Sequence, residues 1–132
     1  MIKVVLDTNI IVSAALSPKG NPAKIINIIA DTDEVQIYYS MAIIDEYQEV
    51  LSRERLKIAV ETQICITRAI KEIGILIEPA ASDMPLPDEG DRIFYDTSKT
   101  AGAYLITGNR KHYPDEPHIL TPAQFIRMVV AA

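Results

Sequence analysis

Short apolar runs rich in β-branched residues alternate along this chain with longer stretches of helical periodicity, and this limits the fold more than any other feature. Ile2 to Leu6 reads as a buried strand and Asn9 to Leu16 as a helix. After the loop Ser17-Pro18-Lys19-Gly20, Asn21 supplies an N-cap and Pro22 a first-position proline for a helix running to about Ala30. Val35 to Tyr39 is a second strand. Ser40 caps a helix through Leu51, and Ser52 begins further helix reaching about Ile73, where Gly74 ends it. Ile75 to Ile77 is a third strand, and the three prolines between Glu78 and Pro87 mark a loop. A helix follows from about Glu89 to Thr100, then a strand from Ala103 to Ile106. Gly108 to Pro117 reads as irregular with one helical turn, His118 to Leu120 as a short strand, and Thr121-Pro122 as the start of a last helix to about Val130. Strands alternating with helices predict an α/β fold, a central parallel sheet with helices on both faces.

The 132 residues fit one domain. Aliphatic side chains dominate the 48% of hydrophobic residues, with no Trp and 6% aromatics, as in a buried parallel sheet. No apolar run approaches the ~20 residues of a membrane span. Met1 to Leu6 runs into Asp7 too soon for a signal peptide, so the expectation is a soluble cytoplasmic protein. The single Cys65, between Ile64 and Ile66, excludes an internal disulfide and is expected to be an inert core residue. The net charge of −5 argues against a phosphate-rich partner taken globally. Bases nevertheless gather at Arg53 to Lys57 and at Arg110-Lys111, and an acidic pocket is what a metal site requires.

In parallel α/β sheets, functional groups collect beyond the carboxyl ends of the strands. The first strand ends in Asp7-Thr8-Asn9, which could equally be a helix-capping turn. In the helix after the second strand, Ile43, Tyr47, Val50 and Leu51 form an apolar stripe, and Glu46 falls on or beside it while Asp45 and Glu49 point outward. A carboxylate near a buried face needs a partner or a path to solvent. Asp88 could cap the next helix, with Glu89 and Asp91 favoured by its dipole; Asp91 could also reach the same end of the sheet as Asp7. Asp96, turned away from Asp91, is expected at the surface or supporting a neighbour. The fourth strand ends in Thr107-Gly108-Asn109, ordinary turn residues that again sit at a carboxyl end. His112 and His118 have no zinc-site spacing and read as structural or surface residues. The glycine-rich turn of a dinucleotide-binding fold is missing after the first strand.

Taken in order, Leu6-Asp7-Thr8-Asn9, Ser40 with Glu46 in a helix ending Glu49-Val50-Leu51, Asp88 with Asp91, and Leu105-Ile106-Thr107-Gly108-Asn109 closely resemble the PIN-domain family across essentially the whole chain. Within it, the chain is similar to VapC-like ribonucleases, the toxin components of bacterial toxin–antitoxin pairs. The resemblance implies a Rossmann-like three-layer α/β/α sandwich over residues 1–132, cutting RNA with Mg²⁺ or Mn²⁺. It places the metal acids at Asp7, Glu46 and Asp91, with Thr8, Asn9, Ser40, Asp88 and Thr107 in support. The family's fourth acid falls at Asn109, which keeps a carbonyl oxygen for a metal but loses one charge. Arg110 and Lys111 are candidates to guide an RNA backbone. A cognate antitoxin and a second copy of the chain are the expected partners. The main rival is a non-catalytic PIN domain that binds RNA or a protein.

Overall fold

A computed structural model describes residues 1–131. Its elements are β1 (Ile2–Leu6), α1 (Thr8–Leu16), α2 (Asn21–Asp31), β2 (Val35–Tyr39), α3 (Met41–Leu51), α4 (Val60–Ile73), β3 (Ile75–Leu76), α5 (Arg92–Ala101), β4 (Tyr104–Ile106), β5 (Ile119–Leu120) and α6 (Pro122–Ala131). Among the described residues, the strands form one sheet in the order β3-β2-β1-β4-β5, with every neighbouring pair parallel. This is the flanked parallel sheet that the alternating sequence predicts. Val4, Val5 and Leu6 of central β1 are wholly buried, which explains a strand without polar alternation.

The chain lays β2 and β3 on one side of β1, then crosses to the other side for β4 and β5. The order therefore reverses between β1 and β4, and such a reversal opens a crevice at the carboxyl ends of the strands. Leu6 pairs with Ile106, so Asp7 and Thr107 emerge side by side there. A backbone bond from the Asp7 N–H to the Ile106 carbonyl, 3.0 Å, extends the pairing one step beyond the strands.

Several local expectations change. Helix does not run on from Ser52: α3 ends at Leu51, a 3-10 turn spans Glu54–Leu56, and Lys57 takes a left-handed conformation with φ 55° before α4 starts at Val60. This stretch contains no Gly or Pro, so tertiary packing of α3 on α4 overrides helix propensity. Gly20, not Asn21, holds the cap position of α2; Asn21 is its first helical residue. Cys65 is exposed, not core; it lines an apolar groove of about 460 Å³ beside Ile11, Ala30, Ile66 and Ile70. Asp96 is buried rather than at the surface, where it accepts bonds from the Ser82 N–H (3.2 Å) and the Ser82 hydroxyl. The proline-rich loop is thereby pinned to α5, and Arg92 reinforces it through the carbonyls of Ser82 (2.9 Å) and Met84 (2.7 Å). Among the described residues, no helix is long and apolar enough to cross a membrane.

Gly74 ends α4 as the sequence predicts, for a reason of packing. A Cβ there would lie 2.6 Å from the Ile70 carbonyl oxygen and 2.9 Å from the Tyr39 ring. Neither backbone nor a buried ring yields cheaply, so Gly74→Ala should lower unfolding free energy by ~1–3 kcal/mol, read from urea denaturation. A wild-type midpoint in that variant would refute this account of the α4–β3 turn.

Candidate active site

Asp7 sits at the cap position of α1, yet its side chain makes no capping bond. Its Oδ2 instead accepts two hydroxyl bonds, from Thr107 at 2.8 Å and from Tyr113 at 2.8 Å. Asp7 is only 6% exposed, and these donors replace the water that a buried carboxylate gives up. The turn is thus more than a helix start. Asn9 closes it from the far side: its Oδ1 accepts from the Gly108 N–H at 3.0 Å, and its amide lies 3.5 Å from the Thr107 hydroxyl. Thr107 is fully buried, and its hydroxyl also accepts from the Asn109 N–H at 3.0 Å.

Glu46 reaches this end of the sheet from α3. Ser40 caps that helix by accepting from the Ile43 N–H at 3.2 Å, and so fixes where Glu46 projects. The Thr8 hydroxyl donates to the Glu46 carboxylate, and the hydroxyl of fully buried Tyr47, next along α3, donates to the Leu6 carbonyl. Helix α3 is therefore fastened to both sides of Asp7. Asp91 comes from the 3-10 turn Glu89–Asp91 that leads into α5, and Asp88 shapes the turn by accepting from the Gly90 N–H at 2.8 Å.

The three carboxylates lie within one another's electric field. Burial, opposed by the Thr8 bond and helped by Asp7, raises the Glu46 pKa. Burial, then Asp7 and Asp88, moves Asp91 from its ordinary 3.8 to about 6. Asp91 Oδ2 is buried without a hydrogen-bond partner, and the Nδ1 of His112 stands 3.5 Å from it. Among the described residues, no Arg or Lys forms a salt bridge with Asp7, Glu46 or Asp91. Nor, among them, do three such groups close around one point tightly enough to enclose a metal. Hard oxygen donors that repel one another, one of them orphaned, nonetheless suit a hard divalent cation chemically.

Asn109 is exposed and joins the network through its backbone N–H. Arg110 is paired with Asp115 at 3.1 Å, and Lys111 is exposed. Tyr113 is the site residue that sequence reasoning misses. It lies in a segment without periodicity, and nothing nearby marks an aromatic before Pro114 as a partner of Asp7.

The Asp91 shift has a sign. The folded protein keeps a proton on Asp91 that the unfolded chain releases, so the contribution of this group to stability falls as pH rises from about 4 to about 6. Melting temperatures in EDTA should decline over that range, and Asp91→Asn should flatten the decline. An equally steep curve in the variant would show that Asp91 is not its source.

Comparison with known proteins agrees with this architecture. The family profile of the PIN domain matches residues 3–111. An uncharacterised protein of Methanocaldococcus jannaschii is 30% identical over 112 residues, covering 83% of this chain and 72% of that protein. Among solved structures, VapBC2 from Rickettsia felis, bound to a promoter DNA fragment, superposes with a TM-score of 0.63 at 16% identity, over 91% of this chain and 97% of the other. VapBC-1 from nontypeable Haemophilus influenzae superposes with a TM-score of 0.56 at 19% identity, over 84% and 90%. The structural matches speak for the fold; the profile match over residues 3–111 shows that the chain belongs to the PIN-domain family.

Proposed function

We propose that this PIN domain is a metal-dependent endoribonuclease and the toxin of a toxin–antitoxin pair. The observation that carries the reading is a set of acids at the β1–β4 crevice: Asp7 and Glu46 are held by neutral hydroxyls, Asp91 keeps one buried oxygen without a hydrogen bond, and among the described residues none of the three pairs with an Arg or Lys. Asp7, Glu46 and Asp91 would hold Mg²⁺ or Mn²⁺, with the Asn109 carbonyl as a further oxygen ligand. A bound cation supplies charge stabilisation at the scissile phosphate and acidifies water. Thr107 and Thr8 orient Asp7 and Glu46, Asn9 ties the β1 and β4 turns together, Ser40 sets α3, and Asp88 shapes the turn that presents Asp91. Asp91 orients a water for in-line attack on phosphorus; the bond to the 3′-oxygen breaks, leaving a 5′-phosphate and a 3′-hydroxyl. Arg110 and Lys111, on the 3-10 turn Arg110–His112 beside the site, guide the RNA backbone.

The apolar groove between α1, α2 and α4 offers an antitoxin a surface to cover, and a second copy of the chain is the other expected partner. An RNA-cutting toxin would act in the cytoplasm. The rival reading, a PIN domain that binds RNA or protein without cutting, draws on Asn109 in place of an acid and on carboxylates that do not close around one point.

The deciding experiment incubates a mixed single-stranded RNA pool with Mg²⁺, Mn²⁺ or EDTA. The wild-type protein should cut only with metal, and Asp7→Asn or Asp91→Asn should slow cutting by on the order of 100-fold. A folded, metal-supplied wild type that cuts nothing would favour the binding-only reading.

A further inference from the structure

The segment after β4 lays two consecutive side chains against two different carboxylates. His112 stands 3.5 Å from Asp91 through Nδ1, and the Tyr113 hydroxyl donates to Asp7 at 2.8 Å. Tyr113 is 5% exposed. Its backbone N–H closes the Arg110–His112 turn on the Arg110 carbonyl at 3.2 Å. Further along, Glu116 is tied to α5 by the Tyr95 hydroxyl at 2.8 Å. The segment is thus anchored on both sides of the phenol.

Both donors to Asp7 fall on the same oxygen, Oδ2. That asymmetry matters because the last torsion of an aspartate is broad and roughly two-fold, so its oxygens are otherwise interchangeable. Thr107 gives its single proton to that oxygen while its lone pairs accept from the Asn109 N–H and face the Asn9 amide, so the Tyr113 phenol is the second, independent donor on the same side. The phenol has no other bonded partner among the described residues.

We infer that Tyr113 is a positioning residue for the carboxylate centre: its phenol fixes the rotation of Asp7 so that Oδ1 is the oxygen left for a divalent cation. This rests on the metal-nuclease reading above. It also gives the segment that carries Arg110 and Lys111 a direct mechanical link to the proposed metal ligand.

The test is Mn²⁺ binding to the full chain, followed by the electron paramagnetic resonance signal of the free ion at a temperature where every variant is folded. Tyr113→Phe keeps the ring and removes the donor, and should weaken Mn²⁺ binding by ~10-fold. Tyr95→Phe removes a comparable phenol–carboxylate bond on the same segment, and should lower the melting temperature while leaving Mn²⁺ affinity unchanged. Should Tyr113→Phe fail to fold, Thr107→Val tests the same oxygen and should weaken binding likewise. Unchanged affinity in Tyr113→Phe, with wild type binding Mn²⁺, overturns this inference alone. An equal loss in Tyr95→Phe overturns it in favour of general loop rigidity. A wild type that binds no Mn²⁺ removes the metal reading and this inference together.

Discussion

A carboxylate buried between β1 and β4 is the constraint around which this end of the molecule is built. Removing Asp7 from water is costly, and the structure meets that cost with two hydroxyl bonds rather than with a cation. The choice has consequences. An arginine in that place would satisfy the charge and end its availability. Hydroxyls satisfy the geometry and leave the negative field standing, so Glu46 and Asp91, whose protons burial already holds more tightly, are pushed further the same way by Asp7.

The fold supplies the donors by parallel pairing. Because Leu6 is in register with Ile106, the residues that follow each strand arrive together, and Thr107 meets Asp7 without a long side chain having to search for it. Helix α3 is fastened to the same place by Thr8 and by Tyr47, whose hydroxyl occupies the Leu6 carbonyl. The pinned proline-rich loop steadies the start of α5, from which Asp91 approaches. Helix α3, the β4 turn and the Tyr113 segment are each tied to the end of β1 by a hydrogen bond, whereas Asp91 arrives with one oxygen unpartnered.

Much of this was legible in the residues. The runs Ile2 to Leu6 and Val35 to Tyr39 are strands with the bounds their apolar, β-branched pattern predicts, and each carries its one polar residue, Lys3 or Gln36, at a position that is not buried. Ser40, Gly74 and Thr121 mark helix ends because capping chemistry is local. The break after Leu51 was not legible: Lys57 bears no sign of its left-handed turn, which follows from folding α4 back on α3. Cys65 misled for a related reason. Apolar neighbours on both sides do not show which face of α4 looks inward, and its own face lines an open groove.

By itself, the sequence determined the alternation of strands and helices, the parallel sheet that follows from it, and the candidate acids at the strand ends, because periodicity and capping act over a few residues. Tertiary structure alone decided that Asp7 would accept bonds from residues a hundred positions away and that Tyr113 would be one of its donors. It also decided that one oxygen of Asp91 would be buried without a partner. Those facts depend on where the crossover after β3 returns the chain, and no local pattern encodes a meeting between groups that only the assembled sheet brings together.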